Sequence, residues 1–247
     1  MQILIKDNLI IFNKCDITTE DEIVICREKI KMDKNKIRKY LIIGLIGAII
    51  TVIGEMSQGF VTTIDSSNLM MQEFESYASL PGWRHGFGST VGAIGILLQF
   101  FGVYAIYLSF KNKDDKNSKR YKIGAINYSL IGAIVHILLA TAIYVLKINS
   151  ELFMEYMIWF AMPIVSVFLI GYIWFSIIMF NKFRKNETIF PKWCCWLNPV
   201  VGKIFFNIVA TLIPISALAN GISYSNMGIA SIVMFAVLLV NLKKIKV

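Results

Sequence analysis

Apolar residues fall in six long stretches, about Leu41 to Val61, Gly86 to Phe110, Ile123 to Leu146, Phe153 to Phe180, Pro199 to Ala217 and Met227 to Leu242, with charged segments between them. A hydrocarbon core of roughly 30 Å takes about 20 apolar residues per helix, and each stretch comes close to that length. Such lengths predict spanning helices rather than the buried helices of a soluble domain. The shorter alternating segments of a β-barrel do not occur. The expected fold class is therefore all-α, a polytopic membrane helix bundle of six transmembrane helices.

Small and polar residues recur within these stretches at helical spacing. Gly44, Ala48, Thr51, Glu55, Gln58 and Thr62 share one face of the first helix, which should point inward. Gly88, Gly92, Gly95, Gln99 and Gly102 form a similar stripe on the second, and Ser129, Gly132, His136, Ala140 and Tyr144 lie along the third. Between spans, small residues let backbones approach and polar ones hydrogen-bond across helices. Gly88, Gly92, Gly95, Gly102 and Gly132 are accordingly the expected helix-packing positions.

The distribution of charge sets the orientation. Hydrophobic residues make up 56% of the chain and charged ones 17%, and the charges concentrate in short segments rather than spreading over a surface. Basic residues precede the first helix (Arg27 to Lys39), follow the second (Lys111 to Lys122), follow the fourth (Lys182 to Lys192) and close the chain (Lys243, Lys244 and Lys246). Arg84 and Lys147 alone fall on the other side. The positive-inside rule then puts both termini in the cytoplasm with an even number of crossings. The net charge of +9 follows from this topology and from attraction to anionic lipid headgroups, with no nucleic-acid partner required. Residues 1–38 read as a cytoplasmic extension and 39–247 as the membrane domain. The extension combines a β-like stretch, Ile3 to Phe12, with acidic Glu20, Asp21 and Glu22, and lacks a signal peptide's pattern. Translation starting at Met32 is an alternative reading of it.

Candidate chemistry rests on ionisable groups at membrane depth, which are costly there and tend to be paired or functional. Glu55 lies about 15 residues beyond Tyr40, roughly 22 Å along the helix and inside the outer half of the bilayer. On the expected topology Glu55, Gln58, Arg84, His85, His136 and Glu155 all fall between mid-bilayer and the outer interface. Together they form a candidate polar intramembrane site of proton-coupled or anion-coordinating character. Arg84 and His85 beside Trp83 also suit an interfacial anchor, Glu155 lies within reach of headgroup water, and Lys203 is expected to snorkel to the cytoplasmic interface. Pro163 and Pro214 should kink the fourth and fifth spans, where Asn207, Thr211, Ser216 and Asn220 either line a cavity or hydrogen-bond between helices.

Several chemistries lack their motifs. There is no Walker loop and no His-Glu-x-x-His, and Gly86-Phe87-Gly88-Ser89 only superficially resembles a nucleophile elbow. The four cysteines, Cys15, Cys26, Cys194 and Cys195, have no paired histidines, so no metal or cofactor is expected. Cys194 and Cys195, between Trp193 and Trp196, suit either S-acylation or, preferably, a Trp-rich interfacial belt. The preferred function is a non-enzymatic membrane protein with an outward-facing polar site for a small solute, lipid or proton. The alternatives are a structural or regulatory subunit without a ligand and an intramembrane enzyme using Glu55 and His136 as acid and base.

One resemblance adds to this reading. Trp83, Arg84, Gly92, Gly95, Ile96, Gly102, Ile106, Tyr107 and His136, followed by Phe190, Pro191, Lys192, Trp193, Leu197, Asn198 and Pro199, resemble a family of small multi-pass bacterial membrane proteins whose domain has no assigned function. The resemblance covers about Tyr40 to Leu242. It implies a bundle of six or seven spans in a bacterial plasma membrane, and it brings no cofactor, ligand or catalytic residue with it.

Overall fold

Isoleucines and glycines divide the first helix between them. Ile42, Ile46, Ile49 and Ile53 recur at helical spacing on its exposed side, while Gly44, Ala48, Thr51, Glu55 and Gln58 are buried and Thr62 is exposed. This is the pattern of a helix whose apolar face meets lipid and whose small face meets protein. A computed structural model describes residues 20–64 and 72–245, with side chains from residue 34 onward. The β-like stretch Ile3 to Phe12 and the side chains of Glu20, Asp21 and Glu22 lie outside the described residues.

The described chain is helical, with no strands and a single isolated bridge, Phe110 to Thr188. Its elements are α1 (Glu20–Gly59), α2 (Gln72–Ala78), α3 (Gly82–Leu108), α4 (Lys116–Ile148), α5 (Ser150–Tyr156), a π turn (Met157–Ala161), α6 (Met162–Arg184), a 3-10 turn (Lys192–Leu197), α7 (Pro199–Thr211), α8 (Ser216–Tyr224) and α9 (Asn226–Lys244). Helix α1 runs unbroken through residue 38, where the sequence suggested a boundary. Five segments are long and apolar enough to cross a membrane: Lys34–Gly59, Gly82–Leu108, Lys116–Ile148, Ser150–Arg184 and Asn226–Lys244.

The stretch Pro199 to Ala217, expected as a spanning helix, is divided instead into α7 and α8. Pro214 lies in the gap. It has no N–H to give the helix, its ring crowds the carbonyl of Ala210, and Ile213 before it is biased away from helical geometry. An expected kink thus becomes a break. Pro163 acts differently, because the π turn immediately before it contains Trp159, whose carbonyl the proline ring would otherwise meet.

The backbones of α1 and α3 approach closely at their glycines. A Cβ on Gly44 would lie 2.4 Å from Gly102 Cα, and one on Gly54 would lie 2.5 Å from Gly92 N. Only glycine permits this contact, which is the small-residue packing typical of membrane helices.

Both ends of the bundle are tied off by polar contacts. At one end Lys34 Nζ donates to Ile245 O at 2.6 Å, so the start of the first apolar segment meets the end of α9. At the same end buried Lys182 pairs with Asp115 at 2.6 Å and Glu187 at 2.7 Å, next to the Phe110 to Thr188 bridge. Asp115 caps α4 by accepting from Asn117 N and Ser118 N, while Asn186, at φ 58°, reverses the chain after α6. Burial opposes ionisation of Asp115, but hydrogen bonds from Lys182 and Ser118, with the Lys182 charge, outweigh it and pull the carboxyl from 3.8 down to about 2. At the opposite end Asn220 Nδ2 on α8 donates to Val61 O at 2.8 Å, beyond the end of α1.

Candidate functional site

Polar side chains on α1, α3, α4, α8 and α9 meet at three levels along the bundle. On the first level Ser231 and Tyr128 hydroxyls lie 3.3 Å apart, Tyr128 donates to Gln99 Oε1 at 2.7 Å, Gln99 Nε2 donates to Thr51 Oγ1 at 2.8 Å, and Thr51 donates to Gly47 O. Each group is satisfied, so this chain stitches α9, α4, α3 and α1 together. Two turns further along α1, Tyr224 donates to Gln58 Oε1 at 2.5 Å and Gln58 Nε2 donates to His85 O at 2.9 Å. On the third level His136 Nε2 meets Gly88 O at 3.1 Å. A carbonyl only accepts, so Nε2 carries a proton.

Glu55 sits between the Thr51 and Gln58 levels. It is 7% exposed, and its Oε2 has no hydrogen-bond partner. The carboxyl points toward α9, since a Cβ on Gly228 would fall 2.7 Å from Oε2. A buried acceptor left unsatisfied costs about 1–3 kcal/mol, which sets Glu55 apart from its hydrogen-bonded neighbours.

Glu55 and His136 line a cavity of about 350 Å³. Its walls are mainly apolar, with Val135, Leu139, Val165, Phe168 and Met227 among them, and its polar groups include Tyr128, Tyr224 and Asn226. That volume lies within the roughly 300–1,000 Å³ of ligand sites. On one side the wall is formed by Leu169 of α6 and Lys203 of α7, two helices that scarcely touch.

The six residues grouped by sequence do not form one cluster. Glu55 and His136 share the large cavity, and Gln58 is packed between Tyr224 and His85. Arg84 turns away to bind the carbonyls at the end of α1, with Nε to Ser57 O at 2.5 Å and a terminal nitrogen to Phe60 O at 3.0 Å. There it caps the helix, where the macrodipole favours a cation. His85 lines a second cavity, and Glu155 is exposed on α5 and lines neither. Lys203, expected at the cytoplasmic interface, lines the large cavity and is half-buried. Asn207 accepts from Asn226 and Asn220 donates to Val61 O and Thr63, so these two residues serve hydrogen bonds between segments rather than a cavity wall.

Sequence reasoning missed Tyr128, Tyr224, Ser231 and Lys203. Tyr128 lies one residue before the α4 stripe, and its aromatic ring reads as apolar filling. The other three come from segments distant in sequence, whose faces no pattern in α1 to α4 specifies. Cys194 and Cys195 are both buried, and burial, with Cys195 alongside, pushes the Cys194 thiol up to about 12. Among the described residues no group of three or more His, Cys, Asp or Glu is placed to hold a metal ion.

No curated protein and no solved structure matches the chain. Residues 32–245 match a family of unknown function, DUF6796, and the chain belongs to that family.

Proposed function

We propose that this DUF6796 member is a six-crossing protein of the bacterial plasma membrane that binds a small amphiphile in the Glu55 cavity, with both ends cytoplasmic. The observation that carries the ligand reading is the unpartnered Glu55 oxygen at the wall of a largely apolar cavity of about 350 Å³. A buried polar group without a partner is unfavourable unless a ligand completes it. The ligand that fits has a hydrocarbon body and a head that donates a hydrogen bond, and the weakly closed side between α6 and α7 gives access from the bilayer.

Support for six crossings comes from counting α7 and α8 as one interrupted span. Asn198, before α7, donates to Ser176 O within α6, and Tyr224, at the end of α8, packs against Gly59 at the end of α1. Together with the Lys34 to Ile245 contact this brings the two ends of the bundle's chain to one side. Lys111 to Lys122, Lys182 to Lys192 and Lys243 cluster at that side in sequence, which the positive-inside rule assigns to the cytoplasm. The same cations would meet anionic lipid headgroups.

The test uses protein in maltoside micelles titrated with octanol, octylamine and octanoate while melting is followed. Saturable stabilisation by the donor heads, octanol or octylamine, and its loss in Glu55→Met and Leu139→Trp, is the expected result. If all three act alike, or if both variants respond as the parent does, the cavity is not a ligand site.

A further inference from the structure

A second cavity, of about 220 Å³, is lined by Gly82, His85, Gly86, Ser89, Thr141 and Tyr144, with Ala140 at its wall. It shares no lining residue with the Glu55 cavity. His85 is 3% exposed, yet neither Nδ1 nor Nε2 has a hydrogen-bond partner. The carbonyl of Leu80 lies close to the ring but outside hydrogen-bonding geometry, and it is engaged by the Lys147 ammonium. A buried imidazole with both nitrogens idle is rare, because at least one of them carries a proton that needs an acceptor.

The surroundings select what that acceptor is. Among the described residues the charged groups that bear on the ring are Lys147 and Arg84, both cations, and no carboxylate is among them. Among the described residues neither cation has an acidic partner; each binds backbone carbonyls instead. One of the three ammonium protons of Lys147 is used in this way, which leaves donors to spare. Thr141 spends its hydroxyl on Ile137 O, so Ser89 and Tyr144 supply the hydroxyl donors of the wall. An imidazole and two hydroxyls thus face one space, and the Lys147 and Arg84 charges, which do not line it, make its surroundings positive.

We infer that the His85 cavity binds a phosphate-type oxyanion, with the imidazole donating directly and Ser89 and Tyr144 completing the shell. The site is independent of the Glu55 reading. The anion is either free phosphate or the headgroup of a lipid in the leaflet at that end, since both present the same oxygens. A hydrogen bond from the imidazole to an anionic oxygen is charge-assisted.

The experiment uses the full chain in maltoside micelles, which carry no phosphate. Melting is measured in sodium phosphate against sodium chloride at matched ionic strength, and then in chloride with phosphatidylglycerol added. Saturable stabilisation by inorganic phosphate identifies a free oxyanion, and stabilisation by phosphatidylglycerol alone identifies a headgroup. In either case His85→Gln should weaken the midpoint roughly tenfold, the effect of losing one charge-assisted hydrogen bond. Gly86→Leu is the second variant: a Cβ there meets nothing within 4 Å, so the side chain can occupy the cavity without removing a polar group. It should abolish the response while melting as the parent does in chloride, and it decides alone if His85→Gln does not fold. No response to either additive, or an equal response in parent and Gly86→Leu, overturns the inference.

Discussion

Replacing Glu55 by methionine should make the protein more stable. The carboxyl is 7% exposed, and one of its oxygens has no partner, so in the unliganded protein it contributes a desolvation penalty with nothing to offset it. An unsatisfied buried acceptor costs about 1–3 kcal/mol, and an acidic residue at the centre of a span costs up to roughly 3 kcal/mol, less toward the interface. Glu55 stands four residues before the end of α1, about 6 Å along the axis, which favours the middle of that range. Methionine is unbranched and of similar length, so it can follow the same path toward Gly228 without opening a cavity. A gain of about 2 kcal/mol corresponds to a rise of roughly 4–8 °C for a chain of this size. Thermal unfolding in maltoside micelles, followed by tryptophan fluorescence, measures it. Glu55→Gln is the contrast, because it keeps an unsatisfied polar head and should shift melting little. If Glu55→Met melts at or below the parent temperature, the carboxyl is satisfied in the folded protein and the reasoning fails. A gain accompanied by loss of amphiphile binding is the usual exchange of stability for function.

Three further outcomes follow from the packing and the polar end. Gly92→Ala would put a Cβ 2.0 Å from His136 Nε2 and push the imidazole off Gly88 O, so it should lower stability by about 2–3 kcal/mol, whereas Gly86→Ala should stay within about 0.5 kcal/mol; melting curves of the pair decide this. Asp115 has its carboxyl lowered in the folded state, so its contribution is complete above pH 3.8 and is lost as pH falls toward about 2; that part of the acid transition should disappear in Asp115→Asn. Cys194, buried with its thiol raised to about 12, should resist maleimide at neutral pH until the protein is denatured, and intact mass should show no acyl chain on it; labelling of the native protein would contradict the burial.

Much of the architecture was legible because transfer free energy is local and additive along a chain. A window of apolar residues reports a spanning helix whatever surrounds it, which is why α1, α3, α4, the α5 to α6 segment and α9 all fall where hydropathy marks them. Helical periodicity likewise picked out the small face of α1 and the glycines of α3, since sterics at a close crossing act on individual positions. Hydropathy gave no account of the interruption at Leu212 to Ile215, because a missing N–H at Pro214 changes hydrogen bonding without changing apolarity.

The sequence by itself determined an all-helical chain of apolar segments, the small faces of α1 and α3 that pack together, and a carboxyl, Glu55, within the first apolar segment. Only the tertiary structure decided what those groups meet. It separated His85 and Arg84 from Glu55, left Glu155 outside, turned Lys203 toward the cavity and joined Tyr128 to Gln99 across two helices. The physical reason is that periodicity fixes a residue's direction relative to its own helix axis, while the rotation and tilt of each helix are set by contacts between segments far apart in the chain. Whether a buried polar atom finds a partner depends on those rotations to within about an ångström, a scale that no pattern along one strand of sequence carries.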